Sequence, residues 1–381
     1  MPPPGNALLP TGRPLPDMRF APPNPLRIAD RASGLNALSV RSYNERLVLS
    51  LLLQNEGISR MEIGEKTGLS AQTASVIVRS LEQEGLVSQG EAQRGRVGPP
   101  TIPLSLNPEG AYAVGVGFSR RRIDIALIDF IGTVRFHKQL PADEANPFPQ
   151  SSDLLGAIGQ AMTSLPVDAR SRVAGIGLAV PDEVDAMAAI RNGSSTSLKA
   201  LQGEIEEQSK LPVFVQNDIT AAAGGESMFG VAKPLNDYLF FYLGARLQSR
   251  LILNHQIYKG NSSASFDHGL VRLESELTMR GRPSEIIWSS SPEWPDLGEA
   301  YSEWLGECSN RLKASISALT QFVEFRTVVL SSYAPQKIAK ALCGDISREF
   351  ATIEALPARV TISPKAVGAA SLPFSSRFMI Q

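Results

Sequence analysis

Residues 58–87, ISRMEIGEKTGLSAQTASVIVRSLEQEGLV, decide the fold of the N-terminal part of this chain. Their pattern predicts two helices joined by a Gly-Leu-Ser turn. Gly68 suits the left-handed position after a helix, and the hydroxyl of Ser70 can cap the next one. We expect Met61 and Ile63 to form the apolar face of the first helix. On the second helix, apolar residues at helical spacing predict a buried face, made of Ala74, Ile77, Val78 and Leu81.

The opposite face of the second helix carries short polar side chains and one cation that can reach base edges and phosphates: Ser70, Gln72, Thr73, Ser75 and Arg79. This arrangement is typical of a helix-turn-helix motif and predicts double-stranded DNA as the partner. Strands near Val87 and Leu106 enclose a Gly/Pro-rich turn, so we expect a wing that brings Arg94 and Arg96 to DNA. The sequence thus predicts a winged helix-turn-helix DNA-binding domain over residues 34–106.

Two other interpretations of this segment stay open. It can be a helical hairpin that only packs, or a winged domain that contacts protein. Residues 41–106 contain seven Lys and Arg against seven Asp and Glu, so they lack the basic surface of many nucleic-acid-binding domains. Because the whole chain has a net charge of −1, DNA binding must depend on one local face.

Length and composition restrict the other possibilities. A chain of 381 residues is too long for a single core, so several domains are expected. No apolar run is long enough to span a membrane and no signal peptide is recognisable, so we expect a cytoplasmic protein without a membrane partner. Cys308 and Cys343 form no CxxC pair, which argues against a disulfide or a cysteine-built zinc site.

The remaining sequence changes character along the chain. Residues 1–33 are rich in proline and predict a disordered arm. Three consecutive strands are expected between residues 111 and 140, and VAGIGLAVP at 173–181 predicts a strand covered on both faces. LPVFVQND at 211–218 predicts another buried strand before a helix of small residues. Residues 237–260 predict two more strands, and the alternation continues to the C-terminus, which indicates a two-lobed α/β architecture.

The order of these motifs resembles the ROK family (repressor, open reading frame, kinase), whose regulators join a winged helix to a sugar-kinase-like core. The resemblance rests on the helix-turn-helix and on four further stretches: residues 95–117, GRVGPPTIPLSLNPEGAYAVGVG; 175–181, GIGLAVP; 211–230, LPVFVQNDITAAAGGESMFG; and 367–373, VGAASLP. It implies a two-lobed actin/hexokinase-like, ribonuclease H-like core over residues 107–381. Lobe 1 is expected at about 107–220 with a C-terminal helix at about 364–381, and lobe 2 at about 221–363.

Both phosphate-binding loops of the family's kinases are altered in this chain. The Asp-Gly-Gly-Thr turn corresponds to residues 115–122, GVGFSRRR, with Gly117 at the Asp position. The Gly-Thr-Gly-Ile-Gly-x-Gly loop corresponds to residues 244–250, GARLQSR, which keep one glycine of four. A phosphate close to the backbone requires residues without Cβ, so we expect neither ATP nor another cofactor to bind. The family's zinc-binding His and first Cys correspond to Leu270 and Ser284, so we predict no metal.

The resemblance keeps part of the sugar site. In the family's kinases, the Asn of the Asn217–Asp218 pair binds a sugar hydroxyl and the Asp is the general base. Asp267 takes the position of a sugar-binding Glu, and Asp182 replaces a Gly. Asn217, Asp218 and Asp267 are therefore candidate ligand-binding residues, whereas Asn217 as the cap of the following helix is the other interpretation. We expect no catalytic residue, because Asp218 without the loops is vestigial.

The sequence thus predicts a DNA-binding transcriptional regulator, more specifically a repressor, whose core is not an enzyme. The core would form a homodimer or homotetramer and set the spacing of winged helices on a pseudo-palindromic operator. A sugar or sugar derivative between the lobes would then shift the affinity for DNA. The alternatives are a ligand-independent DNA-binding oligomer and an ATP-dependent sugar kinase that carries a winged helix.

Overall fold

The computed structural model describes residues 43–92, 101–142, 151–181, 198–258, 265–289 and 291–380. The proline-rich arm, the wing residues Arg94 and Arg96, and Asp182 lie outside these described residues. Within them, none of the helices combines the length and the apolarity needed to cross a bilayer.

The N-terminal domain is a winged helix. It consists of α1 (Tyr43–Gln54), α2 (Arg60–Thr67), α3 (Ala71–Gln83), β1 (Val87–Gln89) and β2 (Leu104–Leu106). Strands β1 and β2 pair antiparallel, so the predicted hairpin after the second helix of the motif is confirmed. Gly68 ends α2 at φ 73°, and Ser70 caps α3 by accepting a hydrogen bond from the amide of Thr73. These local signals fix the turn between the two helices.

One detail of the N-terminal domain differs from the prediction. Ile63 is fully buried, but the side chain of Met61 is 71% exposed. Residues two apart on an α-helix point about 200° away from each other, so Met61 and Ile63 cannot share one face. The expectation that both form the apolar face of α2 is wrong.

The first lobe is built on one mixed sheet. Its elements are β3 (Tyr112–Phe118), β4 (Arg122–Asp129), β5 (Val134–Pro141), α4 (Ser151–Thr163), β6 (Val173–Val180), α5 (Leu198–Ser209) and β7 (Val213–Asn217). The strand order is β5-β4-β3-β6-β7, with an antiparallel meander on one side of β3 and the parallel strands β6 and β7 on the other. Every residue of β6 is buried, which confirms the predicted strand covered on both faces.

The second lobe repeats this topology. It contains α6 (Asp218–Phe229), β8 (Tyr238–Leu243), β9 (Leu247–Leu253), β10 (Gln256–Ile257), β11 (Ser265–Phe266), α7 (Leu270–Met279), α8 (Glu299–Leu319), β12 (Thr327–Ser332), α9 (Gln336–Glu349) and β13 (Glu354–Pro357). The described strands follow the order β10-β9-β8-β12-β13, and β11 pairs with β9. The segment from β8 to β10 thus holds three strands, where the sequence predicted two. Two lobes of this topology form an actin/hexokinase-like core.

A last helix, α10 (Pro364–Phe378), packs backbone-to-backbone on the first lobe and on α6. A Cβ atom on Gly177 would lie 1.8 Å from the carbonyl oxygen of Ala369, and one on Gly368 would lie 2.1 Å from that of Ala221. Only glycine permits so close an approach at these positions. The rings of Phe374 and Phe378 pack edge-on against Phe130 of the first lobe.

The C-terminal end of α10 reaches the N-terminal domain. The side chain of Arg46 on α1 is only 7% exposed. Its guanidinium donates hydrogen bonds to the carbonyl oxygens of Ser375 (3.0 Å), Ser376 (3.0 Å) and Met379 (2.7 Å). A cation is well placed there because the last carbonyl groups of a helix lack partners within it. One continuous apolar cluster also joins the winged helix to α10 and the first sheet.

Candidate DNA interface and interlobe cleft

Helix α3 separates its buried and exposed residues as the sequence predicted. Its buried side chains are Ala74, Ile77, Val78 and Leu81. On the opposite face Gln72, Thr73 and Arg79 are exposed, and Ser75 is half-buried. These polar side chains are therefore available to a partner that approaches from solvent.

The N-terminal end of α3 also suits an anionic partner. The Ser70 hydroxyl accepts a hydrogen bond from the Thr73 amide at 3.1 Å and lies 2.8 Å from the Thr73 hydroxyl. The first turn of the helix contains no acidic residue. The positive end of the helix dipole thus faces solvent without a nearby carboxylate, which favours a phosphate.

Glu82 fixes the position of α3 relative to its neighbours. Its carboxylate accepts hydrogen bonds from the guanidinium of Arg60 on α2 and the side-chain amide of Gln89 on β1, both at 2.8 Å. One acidic side chain therefore connects α2, α3 and the wing strand. This role of Glu82 is not recognisable in the sequence, because the three residues are not neighbours in the chain.

In the cleft, Asn217 caps helix α6. Its side-chain oxygen accepts hydrogen bonds from the amides of Ile219 and Thr220, each at 3.0 Å. The guanidinium of Arg250 donates to the same oxygen at 2.5 Å and to the Thr220 hydroxyl at 2.8 Å. The interpretation of Asn217 as a helix cap is confirmed. Arg250 stands at the last glycine position of the altered second loop, and its side chain contacts the residue expected to bind a sugar.

Asp218 is held by the chain itself. Its side chain is 2% exposed, and one carboxylate oxygen lies 2.5 Å from the ammonium nitrogen of Lys365, at the start of α10. The other oxygen accepts a hydrogen bond from the Ile219 amide at 2.8 Å. Groups of the chain itself therefore occupy about half of the acceptor positions of this buried carboxylate. Lys365 also lies 5.2 Å from the ring centre of Tyr242, whose pKa is raised far above its ordinary value by burial and by the charge of Asp218.

The altered first loop, between β3 and β4, connects the two lobes. Arg121 forms a 2.5 Å ion pair with Glu274 on α7, and Arg120 lies 4.0 Å from the same carboxylate. The guanidinium of Arg121 is 5.6 Å from the ring centre of Trp288. Arg122 stacks 4.2 Å above the ring of Tyr333. Arginine side chains thus bridge the lobes at the loop that binds phosphate in the family's kinases.

Asp267 is much more exposed to solvent than Asn217 and Asp218. The Asp267 side chain is 90% exposed and lies 3.7 Å from Arg246. An exposed carboxylate of this kind forms a weak surface ion pair. Asp218 is buried, and Asn217 is half-buried.

The two positions that correspond to the family's zinc ligands hold an apolar side chain, Leu270, and a hydroxyl, Ser284. Leu270 is fully buried in an apolar cluster with Ile287 and Trp288, and Ser284 begins the short turn before them. Among the residues that the structure describes, no group of three or more His, Cys, Asp or Glu side chains is arranged to hold a metal ion. Burial raises the pKa of the two thiols, Cys308 and Cys343, to about 12.

Sequence reasoning missed the residues that fill the cleft, Arg250 and Lys365, and the arginine that joins the domains, Arg46. For Arg250 a signal existed. An arginine that replaces a loop glycine beside a pocket must direct its side chain toward that pocket or toward solvent. For Lys365 and Arg46 the partners are too distant in sequence to be recognised.

Comparisons with known proteins agree with this architecture. The ROK family model matches residues 113–284, and the MarR family model matches residues 41–96. The xylose repressor of Bacillus spizizenii is 29% identical over 243 residues, which are 62% of this chain and 62% of that protein. The protein y4fQ of Sinorhizobium fredii is 24% identical over 367 residues, or 88% of this chain and 92% of its own.

A solved structure described as a ROK family transcriptional regulator, a homolog of the Escherichia coli MLC protein, shares the fold. Its TM-score is 0.60 at 18% identity, and the match covers 88% of this chain and 96% of that one. Residues 113–284 are therefore similar to the ROK family, and the winged helix in front of them, residues 41–96, is similar to the MarR family.

Proposed function

We propose that this protein is a sequence-specific DNA-binding transcriptional regulator, acting as a repressor, whose kinase-like core does not transfer phosphate. The observation that carries the proposal is the exposed polar face of α3, presented by a capped helix that Glu82 holds against α2 and the wing. The similarity to a xylose repressor supports the same function. The proposal implies a cytoplasmic protein, because the DNA lies there.

The test of DNA reading compares two glutamines on one helix. Duplexes are first selected from a random library with the full chain. Gln72→Ala is then expected to lose about 1–3 kcal/mol of discrimination at particular base pairs of the selected duplex, because an amide pairs with a base edge. Gln83→Ala is the matched control, since Gln83 is exposed at the far end of α3. Equal losses on selected and random DNA for Gln72→Ala would contradict base reading by this residue.

The wing residues Arg94 and Arg96 belong to the same proposal. Their substitution should weaken binding evenly across sequences and reduce its salt dependence, as expected for contacts with phosphates. Ser70, Thr73, Ser75 and Arg79 complete the proposed DNA face.

We infer that the core is not a kinase. Asp218 is buried, with Lys365 on one carboxylate oxygen and a backbone amide on the other, and these contacts disfavour its use as a general base toward a sugar hydroxyl. A coupled assay with ATP and a panel of pentoses and hexoses should give no turnover above the blank. Turnover that disappears in Asp218→Asn would instead support the sugar-kinase alternative.

A sugar or sugar derivative between the lobes is proposed as the effector. To contact Asn217 and Asp218 it must displace Arg250 and Lys365, so we expect the native chain to bind it weakly. Arg250→Gly restores the glycine of the family loop and should bind xylose or a related sugar more tightly in calorimetry. Arg246→Gly is the control, because Arg246 pairs instead with the exposed Asp267. Asp267, if it contributes to binding at all, must move from its exposed position.

The filled cleft also favours a second candidate, a ligand-independent DNA-binding oligomer. Its signature would be that no sugar binds the native chain or Arg250→Gly, and that none changes the affinity for DNA. Both candidates share a homodimer or homotetramer of the core, which light scattering of the purified protein tests directly. They also share the division at residues 107, 221 and 364 proposed from the sequence.

A further inference from the structure

The exposed face of α3 contains one large apolar side chain, Val76. It is 62% exposed, although every other valine, leucine and isoleucine of this helix is buried. One helical turn before it lie Gln72 and Thr73, and one turn after it lies Arg79, all exposed. Val76 therefore occupies the centre of the proposed DNA face.

The fold of the winged helix gives no reason for a valine at this position. The apolar cluster of the domain includes Ile77 and Val78 but not Val76. A β-branched residue on the exposed side of a helix is also a poorer helix former than alanine. Single exposed apolar residues are common on protein surfaces, so it is the position of Val76 between Gln72, Thr73 and Arg79, and not its exposure, that singles it out.

We propose that Val76 reads a thymine by packing against its 5-methyl group in the major groove. This inference rests on the proposed DNA-binding function. Thymine is the base that presents a methyl group in the major groove, whereas the other base edges there offer hydrogen-bond donors and acceptors. Valine has no group to pair with such a donor or acceptor, so packing it against another base would leave a polar edge without its water.

The test replaces thymine by deoxyuridine, which lacks only the methyl group, one position at a time in the selected duplex. For the native chain, one position in each half-site should lose affinity roughly fourfold, the value expected when one buried methyl group is removed. In Val76→Ala the unmodified duplex should bind more weakly. At that position the variant should no longer distinguish thymine from deoxyuridine, while its penalties at all other thymines stay unchanged.

Two controls separate this reading from a general effect. Val76→Ala should unfold at the same or a slightly higher temperature than the native chain, because alanine is the better helix former. Val167→Ala removes a still more exposed valine, 78% accessible and outside α3, and should leave every DNA affinity unchanged.

Three results would overturn the inference. First, Val76→Ala can be found to keep every preference for thymine over deoxyuridine that the native chain has, and that result would exclude the contact. It can change the association state in light scattering, which assigns Val76 to a protein interface. Finally, a native chain that prefers no sequence over random DNA overturns the DNA-binding proposal itself and this inference with it.

Discussion

At the scale of single residues, Arg250 and Lys365 determine what the interlobe cleft can do. The pair Asn217–Asp218 was recognisable in the sequence, and both a ligand contact and a helix cap were consistent with it. The structure shows the cap, with the two cations bonded to the same side chains. The sequence does not reveal that Lys365 reaches Asp218, because the pairing depends on how α10 packs on the first lobe.

Replacing Lys365 should lower the free energy of unfolding, because the buried Asp218 carboxylate loses its counter-charge. Lys365→Met leaves Asp218 without its cation, so we expect the free energy of unfolding to fall by about 3–5 kcal/mol. The double variant with Asp218→Asn should recover most of that loss, because no buried charge remains. Urea denaturation of the two single variants and the double variant measures this coupling, and strictly additive effects would show that the ion pair is not coupled.

A second prediction at this scale concerns Asp124 on β4, whose side chain is almost fully buried. Burial alone would raise the pKa of its carboxyl group. The hydrogen bonds from His137 and Gln139, together with the charge of Arg122, outweigh burial and lower the pKa below its ordinary value of 3.8. A depressed folded-state pKa means that ionised Asp124 stabilises the fold above that value. This stabilisation is lost as pH falls through the lower folded-state pKa.

Asp124→Asn should therefore lower the free energy of unfolding by about 2 kcal/mol at pH 7, the usual size of hydrogen bonds to a charged group. The difference from the native chain should begin to shrink below about pH 4, where the carboxyl group of the unfolded chain becomes protonated, and should go on shrinking as the pH falls through the lower folded-state pKa. Asp168→Asn is the control, since Asp168 is exposed and its side chain caps no helix. An Asp124→Asn deficit that is constant from pH 7 to pH 3 would contradict the role of ionisation.

Among the secondary-structure elements, the helices of the winged helix could be predicted because the sequence signals for them are local. Gly68 and Ser70 lie beside the turn that they form, and the buried face of α3 follows from its spacing. The short strand β10 was missed, since two residues carry no period of their own. For the loop between β3 and β4, the sequence predicts that it does not bind phosphate. Its bridge to Glu274 was not predicted, because the partner lies on the other lobe.

Helix α10 supplies a prediction about packing. Gly368→Ala would place a Cβ atom 2.1 Å from the carbonyl oxygen of Ala221, where backbone rather than a flexible side chain must move. We expect a loss of about 3 kcal/mol or more in stability, as for an overpacked core. Gly344→Ala in α9 meets no atom within 4 Å and should gain about 0.5–1 kcal/mol from helix propensity. Thermal unfolding of both variants compares them, and a harmless Gly368→Ala would contradict the close packing.

In the molecule as a whole, the winged helix and the kinase-like core share one continuous apolar cluster. The two sheets share a strand order that no sequence repeat announced. Several polar links connect the parts, among them Arg121 with Glu274 between the lobes, Lys365 with Asp218 at the start of α10, and Arg46 at its end. Helix α10 thus runs from the cleft to the winged helix.

Arg46 should decide whether the domains unfold together. Arg46→Met keeps an apolar stem of similar length but removes the donors to three carbonyl oxygens of the α10 end. We expect about 2 kcal/mol of lost stability and a separate, earlier calorimetric transition for the winged helix. Arg79→Met, on the exposed face of α3, should unfold in the native manner. A single unchanged transition in Arg46→Met would contradict this role, because the apolar cluster and the remaining contacts, such as Lys233 with Glu56, would then suffice to couple the domains.

Whether this protein recognises a DNA sequence can be decided by one ratio of two DNA affinities. It is the affinity of the full chain for its selected duplex divided by its affinity for a scrambled duplex of the same composition, both measured at one physiological salt concentration. For a sequence-specific DNA-binding protein we expect a ratio of about 10³ or more, on a duplex with two-fold symmetry. A ratio near one, with no enriched sequence, would contradict it.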